Sequence, residues 1–398
     1  MKNRHKKTPR VLHLVRWYPN RYDPMPGLFI QRHAEAAAQY CEVGVVYTHV
    51  VEDELVKGVY DIELNVIKGV PTAKVYYSNP KWEVPLVTQV IKTFRFYKAN
   101  YLGIKKIRQQ LDGFELVHIH ILTRLGLIAL YYKWFYNKPF IITEHWSRYL
   151  ELTGSFTGGL RKAMTELIVR NASVITTVTQ NLANAMQKHG LKNNNYRVLA
   201  NVVDETFFHP EVLVKKKNGK ATFVHVSCFE DKSKNVSGLL HVIKSLSEKR
   251  NDFVFRMIGD GMDFEMLRNY SRELGLDESV IVFTGLLEGK KLVSEMAAAD
   301  LMVVFSNYEN FPVVINESFV LGIPVLATKV GGIPEYVNNS NGSLLDAGDE
   351  NTLEMLLNDY LDKKLSFNNN KIQSDSRDSF SAYTIGKELF DIYSEAKH

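Results

Sequence analysis

Glu309 and Glu317 stand with seven residues between them in FSNYENFPVVINESFVLGIPV, two carboxylates in an apolar stretch interrupted by Pro312. Beside a phosphate alone a carboxylate is repelled, so such a pair makes chemical sense where hydroxyls need acceptors or a cationic centre needs stabilising. A sugar offers both. Glu309 then suits hexose hydroxyls and Glu317 a ribose diol. The spacing leaves a plain alternative equally open, with Glu309 a solvated loop acid and Glu317 a satisfied polar group on an apolar helix. His118 and His120 alternate along a predicted strand and read as structural, so neither is assigned to catalysis.

These residues need elements to hold them. LMVVFS reads as a strand, SNYEN as a loop, and PVVINESFVL as a helix with Pro312 in its first turn and Gly322 just past its end. Glu309 falls outside the helix and Glu317 inside it. Helix starts offer unpaired amides and a positive dipole end to anions. Asn310, Phe311 and Val313 present such donors, and Pro312 has none to give.

The same rhythm of short apolar run, turn and helical segment recurs along the chain. VLHLV, VGVVYTH, LVHIH, PFIITEH, SVITTV and RVLAN come first, then TFVHVS, FRMIGDG, VIVFTG, LMVVFS and PVLAT. Strands buried on both faces look like this, which predicts an α/β chain of two doubly wound, Rossmann-like domains. The charged, glycine-containing segment HPEVLVKKKNGKAT sets the boundary, giving domains 1–210 and 211–379. The tail, 380–398, carries the helical spacing FSAYTIGKELFDIY and either crosses back to the first domain or packs on the second.

The 398 residues are 45% hydrophobic, enough for two cores, and 23% charged with a formal net charge of +5. That balance tilts toward anionic partners and gives no reason to expect nucleic acid. Cys41 and Cys228 are far apart and lack metal-ligand spacing, which argues against a disulfide scaffold and a zinc cluster and fits a reducing compartment. The basic N-terminus begins like a signal region, but His13 and Arg16 interrupt its apolar run, so Val11 to Val15 is read as a core strand. No run approaches the roughly 20 apolar residues of a membrane span, which leaves a cytoplasmic protein with peripheral membrane contact at most. Ile91 to Leu111 places Ile91, Phe94, Tyr101 and Ile104 on one face and five cations elsewhere, a first-domain helix with its apolar side inward or a basic membrane-surface helix. The aromatic group Tyr131, Tyr132, Trp134, Phe135 and Tyr136 is read as helix packing.

The run Glu309-Asn310-Phe311-Pro312 through Glu317, then Leu321-Gly322-Ile323-Pro324-Val325 and Gly331-Gly332-Ile333-Pro334-Glu335, resembles glycosyltransferase family four. These are retaining nucleotide-sugar transferases of the GT-B fold. Further landmarks are Pro26-Gly27-Leu28-Phe29, Val117-His118-Ile119-His120, Thr143-Glu144-His145, Asn201-Val202-Val203-Asp204, Lys234-Asn235, Ile258-Gly259-Asp260-Gly261 and Phe283-Thr284-Gly285, so the likeness spans nearly the whole chain. It implies a donor held mainly by the second domain, an acceptor held mainly by the first, and transfer with retained configuration. By this resemblance Glu309, His145 and Lys234 form the catalytic set. Gly27, Lys232, Lys234, Gly259, Leu286, Asn310, Phe311, Pro312, Val313 and Glu317 serve the donor. Lys234 would neutralise the departing diphosphate, and no metal or other cofactor is implied.

One departure stands out. The family carries an arginine a few residues before that lysine, whereas this chain reads Ser227-Cys228-Phe229-Glu230-Asp231-Lys232-Ser233-Lys234. Lys232 can substitute as a point charge without the arginine's fork. Gly259-Asp260-Gly261 lacks the third glycine of a dinucleotide fingerprint, which weakens an oxidoreductase reading. The expected activity is transfer of a hexose-type sugar from a nucleotide-diphosphate sugar to a glycan or lipid-linked acceptor, in cell-surface polysaccharide or lipopolysaccharide synthesis at the inner membrane face. The alternatives are a nucleotide-sugar epimerase of the same architecture and an inactive scaffold subunit.

Overall fold

The computed structural model describes residues 8–52, 58–79, 85–211 and 219–397. Two compact units emerge: Met1–Val178 with Ala183–Val202 and Ala382–His398, and Thr179–Leu182 with Val203–Ser381. The chain enters the second unit at Val203, earlier than residue 210. Its amide bonds the Phe380 carbonyl, and the Arg377 guanidinium bonds that of Phe208. Most of the charged boundary segment, 212–218, lies outside the described residues.

The first unit holds an eight-stranded sheet ordered β3-β4-β2-β1-β5-β6-β7-β8. Its strands are β1 Arg10–Val15, β2 Glu42–Val51, β3 Tyr60–Ile67, β4 Val70–Ser78, β5 Leu116–His120, β6 Phe140–Glu144, β7 Val174–Thr177 and β8 Tyr196–Val198. All pairings are parallel except β3 with β4, a hairpin closed at Lys68 and Gly69, both at positive φ. A two-residue turn with two positive φ values matches the twist of its strands. The apolar-run criterion missed this hairpin because β3 is a mixed-polarity edge strand and β4 carries Pro71 and Lys74, the latter facing Glu63 across the pair.

The second unit is a six-stranded, all-parallel sheet ordered β11-β10-β9-β12-β13-β14. It comprises β9 Ala221–Ser227, β10 Phe253–Gly259, β11 Ile281–Gly285, β12 Leu301–Val304, β13 Val325–Thr328 and β14 Gly342–Leu345. Strand β14 was also missed, since GSLL is too short and mixed to register as an apolar run. Phe223, Phe229, Phe253, Phe255 and Phe305 are fully buried in its core. Each such ring contributes about 1.5–3 kcal/mol.

The helix Ala382–Ala396 belongs to the first unit, where Ile385, Leu389, Ile392 and Tyr393 are buried with residues of the helix Leu28–Ala37. Gly386 permits the approach, because a Cβ there would sit 2.3 Å from the Ala36 carbonyl oxygen. Two apolar assignments change. In the helix Pro85–Gln110 the buried stripe is Phe96, Ala99, Asn100, Gly103, Ile104 and Ile107, a helical period that turns Phe94 and Tyr101 to solvent. Tyr131, Trp134, Phe135 and Tyr136 are exposed too, since the helix Leu125–Tyr136 buries Leu125, Gly126, Ala129 and Leu130 instead. Among the described residues no helix is long and apolar enough to cross a membrane.

Candidate active site

The chain of the second unit runs from β9 outward to β11 and then returns to lay β12 on the other side of β9. Loops leaving β9 and β12 therefore diverge, opening the crevice where doubly wound sheets bind ligands. The β9 loop leads into the short helix Asp231–Lys234, and the β12 loop carries Ser306 to Pro312. Asn307 ties them together: its amide donates to the Ser233 carbonyl at 2.8 Å and its side chain to that of Lys232 at 3.2 Å.

That tie brings Lys234 and Glu309 into contact, Nζ to Oε1 at 2.5 Å, with only 17% and 11% of their side chains exposed. Burial pushes the Lys234 ammonium toward neutrality, but the Glu309 charge and hydrogen bond more than reverse this, and its pKa is raised. Ser306 Oγ donates to the same carboxylate oxygen at 3.0 Å, and its own carbonyl accepts from Thr328. Gly331, at φ +56°, passes so close that a Cβ would lie 1.8 Å from the Glu309 carbonyl oxygen, while the Gly332 amide bonds that of Asn310. The glycine pair thus lets the two loops close over the backbone of Glu309 and Asn310.

Pro312 occupies the N-cap of the helix Val313–Val320 in an extended conformation, one place before the predicted first turn. Its ring removes a donor, and of the first-turn amides that of Ile315 bonds the Pro312 carbonyl at 3.1 Å, which leaves those of Val313 and Val314 as the ones without an intrahelical acceptor. Phe311 is buried against Tyr336, ring centroids 4.1 Å apart. Glu317 is buried within the helix. Lys232 is exposed, as is Leu286 directly after β11. Gly259 is there for packing, since a Cβ would lie 1.9 Å from the Ser227 carbonyl oxygen. Beneath the crevice His225 donates from Nδ1 to the Val303 carbonyl, 3.0 Å, and meets Ser227 Oγ at Nε2, 2.9 Å.

Gly27 and His145 belong to the first unit. Gly27, at φ +76°, starts the helix Leu28–Ala37, and a Cβ there would lie 2.4 Å from the Trp17 carbonyl. Trp17 packs on Phe29 and Trp146, and Phe29 on His145 at 4.7 Å, so this glycine and this histidine share one neighbourhood. The carboxylate of Glu144 fixes the His145 backbone, accepting amides of Leu122, His145 and Trp146. Burial raises the Glu144 pKa and lowers that of His145 well below the usual imidazole value.

Sequence reasoning did not find the company His145 keeps. His33 and His120 lie beside it and His13 and His118 continue the cluster, neighbouring ring centroids lying 4.0 Å (His118 and His120) to 5.9 Å (His33 and His120) apart. Desolvation brings His13 down to about 3 and His33 to about 4, and holds His118 and His120 well below the ordinary range. Tyr393 reaches in from the C-terminal helix and bonds both His13 and His118. The alternation of His118 and His120 was the sole sequence signal of this cluster.

Residues 34–207 match the family described as Glycosyltransferase Family 4, and residues 210–380 match Glycosyl transferases group 1. An uncharacterized glycosyltransferase of Methanocaldococcus jannaschii is 28% identical over 340 residues, 83% of this chain and 89% of that protein. The lipopolysaccharide 1,6-galactosyltransferase of Escherichia coli is 26% identical over 200 residues, 49% of this chain and 54% of that enzyme. The Anabaena protein HepE, solved with UDP and with UDP-glucose, superposes with TM-scores of 0.68 and 0.66 at 17% identity, covering 97% of this chain and 99% of its own. With two parallel-sheet Rossmann-like units of the GT-B kind and both family matches side by side along it, the chain belongs to the family-four, group 1 glycosyltransferases.

Proposed function

We propose that the enzyme moves a hexose-type sugar from a nucleotide-diphosphate donor to a glycan or lipid-linked acceptor, keeping the anomeric configuration. The observation that carries this reading is the Lys234–Glu309 pair at the fork of β9 and β12. A cation kept charged by an adjacent carboxylate is a ready counter-charge for a departing diphosphate, and stabilising that charge lowers the barrier to leaving. Glu309 and Glu317 supply acceptors for sugar and ribose hydroxyls, Asn310, Phe311 and Val313 supply backbone groups beside the phosphates, and Lys232 adds a second positive charge. Gly27 and His145 serve from the first unit.

In the transfer step the bond between C1 and the phosphate oxygen breaks, its electron pair leaving with the nucleotide. The acceptor oxygen bonds C1 from the same face, and its proton passes to the leaving phosphate oxygen. Glu309 positions the sugar and steadies positive charge at C1 without forming a covalent adduct. Lys234 supplies the counter-charge, so catalysis runs without a metal. The Escherichia coli relative's lipopolysaccharide chemistry supports a cell-surface acceptor, and the nucleotides bound to HepE support a uridine donor. Exposed Phe94, Tyr101, Trp134 and Phe135, with Lys98, Lys105 and Lys106, suit contact with an anionic membrane bearing a lipid-linked acceptor.

The test is a thermal-shift screen of nucleotide sugars followed by proton NMR of the product. A stabilising donor raises the melting temperature by mass action. An α-linked product from an α-linked donor is expected. Inverted product, or a glycosyl adduct trapped on the protein after Glu309→Gln, overturns the mechanism. Turnover of the sugar nucleotide without an acceptor would instead indicate an epimerase.

A further inference from the structure

The hydrogens of the histidine cluster can be assigned one by one. Its members are buried, where an unpaired charge is costly, so each is a neutral ring with one N–H and one bare nitrogen. Thr176 Oγ1 donates to the Ile142 carbonyl and so accepts from Thr143 Oγ1 at 2.6 Å. Thr143 in turn accepts from His118 Nε2 at 2.6 Å, which leaves His118 Nδ1 bare to receive the Tyr393 hydroxyl at 2.9 Å. Having donated there, Tyr393 accepts from His13 Nε2 at 3.0 Å, and His13 Nδ1 accepts from His120 Nε2 at 3.2 Å. The chain ends on Nδ1 of His120, a bare lone pair with no hydrogen-bond partner in a fully buried ring.

His33 arrives at the same state independently. Its Nε2 faces the Ala200 carbonyl at 3.0 Å, an acceptor only, so that nitrogen carries the hydrogen. Nδ1 is bare, buried and likewise without a hydrogen-bond partner. One ring nitrogen each from His33, His120 and His145 lie within 4.8 Å of one another. Buried lone pairs gain nothing from each other, and an electron-pair acceptor held among these rings would satisfy Nδ1 of both His33 and His120. In metal centres, histidine ligands are oriented by an outward N–H bond from the second nitrogen, and His33 and His120 each have one.

We propose that His33, His120 and His145 form a binding site for a borderline divalent transition cation of the Zn²⁺ class, with Nδ1 of His33 and of His120 as two of its ligands. Three neutral imidazoles favour zinc, cobalt, nickel or copper over calcium and magnesium, which prefer oxygen donors. His13 and His118 stay outside the set because both nitrogens of each are engaged. The site goes beyond the transfer reading and does not depend on it.

Chelator-treated full-length protein is titrated with Co²⁺, read by its visible ligand-field bands, and with Zn²⁺, read by the melting temperature. One equivalent per chain, tetrahedral-type bands and a raised melting temperature are expected. His33→Gln retains a donor for the Ala200 carbonyl but no imidazole, and should weaken binding by about 100-fold or more, on the scale of a lost ligand or its support. His145→Gln provides a second variant, on a ring at the edge of the cluster, and should do the same. Far-UV circular dichroism verifies that each variant is folded. Removing the exposed His209 and His241 together should leave the titration unchanged. Binding that survives both cluster variants, binding lost with the exposed pair, or no binding by wild type up to millimolar metal overturns the proposal.

Discussion

The two sheets share a winding rule yet treat charge in opposite ways at their switch points. Where β9 and β12 part, the second unit holds the Lys234 ammonium against Glu309 and keeps it charged, while His225 beneath them stays neutral. Where β1 and β5 lie side by side, the first unit gathers neutral imidazoles linked to Tyr393. A parallel sheet sets where strand ends open, but residue types at those ends decide between a site for a dianion and one built from lone pairs. The second suits a diphosphate. The first suits hydroxyls or the borderline divalent cation proposed above.

The largest effect should come from the charged side. Glu309→Gln and Lys234→Ala are each expected to lower turnover about 10²–10³-fold, the scale of losing one preorganised charge-stabilising group. Lys234→Met should also destabilise the second unit by about 3 kcal/mol, because it leaves a largely buried carboxylate without its partner. Glu309→Gln should cost less, since the amide still accepts from Lys234. Steady-state kinetics and urea unfolding of all three variants separate the two consequences. Unchanged turnover in Glu309→Gln would reduce the ion pair to a structural feature.

On the neutral side the sharpest test is Tyr393→Phe. The hydroxyl accepts from His13 and donates to His118, so its loss leaves two fully buried ring nitrogens unmet. Each unmet group costs about 1–3 kcal/mol. The variant should therefore lose about 2–6 kcal/mol, and amide exchange should quicken first in the helix Ala382–Ala396. Exchange there at the wild-type rate would show that apolar contacts alone, such as Ile385 and Leu389, hold the helix.

The sequence exposed what depends on neighbours along the chain and concealed what depends on neighbours in space. Strands β1, β9 and β12 are continuous apolar runs because helices cover both their faces, and they were readable on that ground. Edge strand β3 and its partner β4 break the rule with charges and a proline, so they escaped. Glu309 could be picked out by its motif, but its partner is 75 positions earlier and is brought to it by the pairing of β9 with β12 and the Asn307 tie. His13, His33 and Tyr393 have no local signature: they come from a strand, a helix and the far end of the chain. Trp134 and Phe135 misled in the other direction, because an aromatic run carries no sign of which face of its helix meets the sheet.

His225 offers the finest test, since it is a neutral imidazole placed under the charged pair. Burial lowers its pKa first, the bond to Val303 opposes that, and the Lys234 cation lowers it further, to about 4. The unfolded chain binds this proton near pH 6.5, so above that value folding incurs no protonation penalty. As pH falls from about 6.5 toward 4 the unfolded state gains a proton the folded state refuses, and stability drops by about 1.4 kcal/mol per unit. Between pH 7 and pH 5 the loss from this one residue is about 2 kcal/mol, before most carboxylates titrate. His225→Asn should flatten that part of the pH profile of amide exchange in β9 and β12. Lys234→Met should flatten it partly, by removing one of the two influences that hold the imidazole neutral. If Lys234→Met leaves the profile of β9 unchanged, the cation and the imidazole do not sense each other, and the ionised crevice is electrostatically separate from the sheet beneath it.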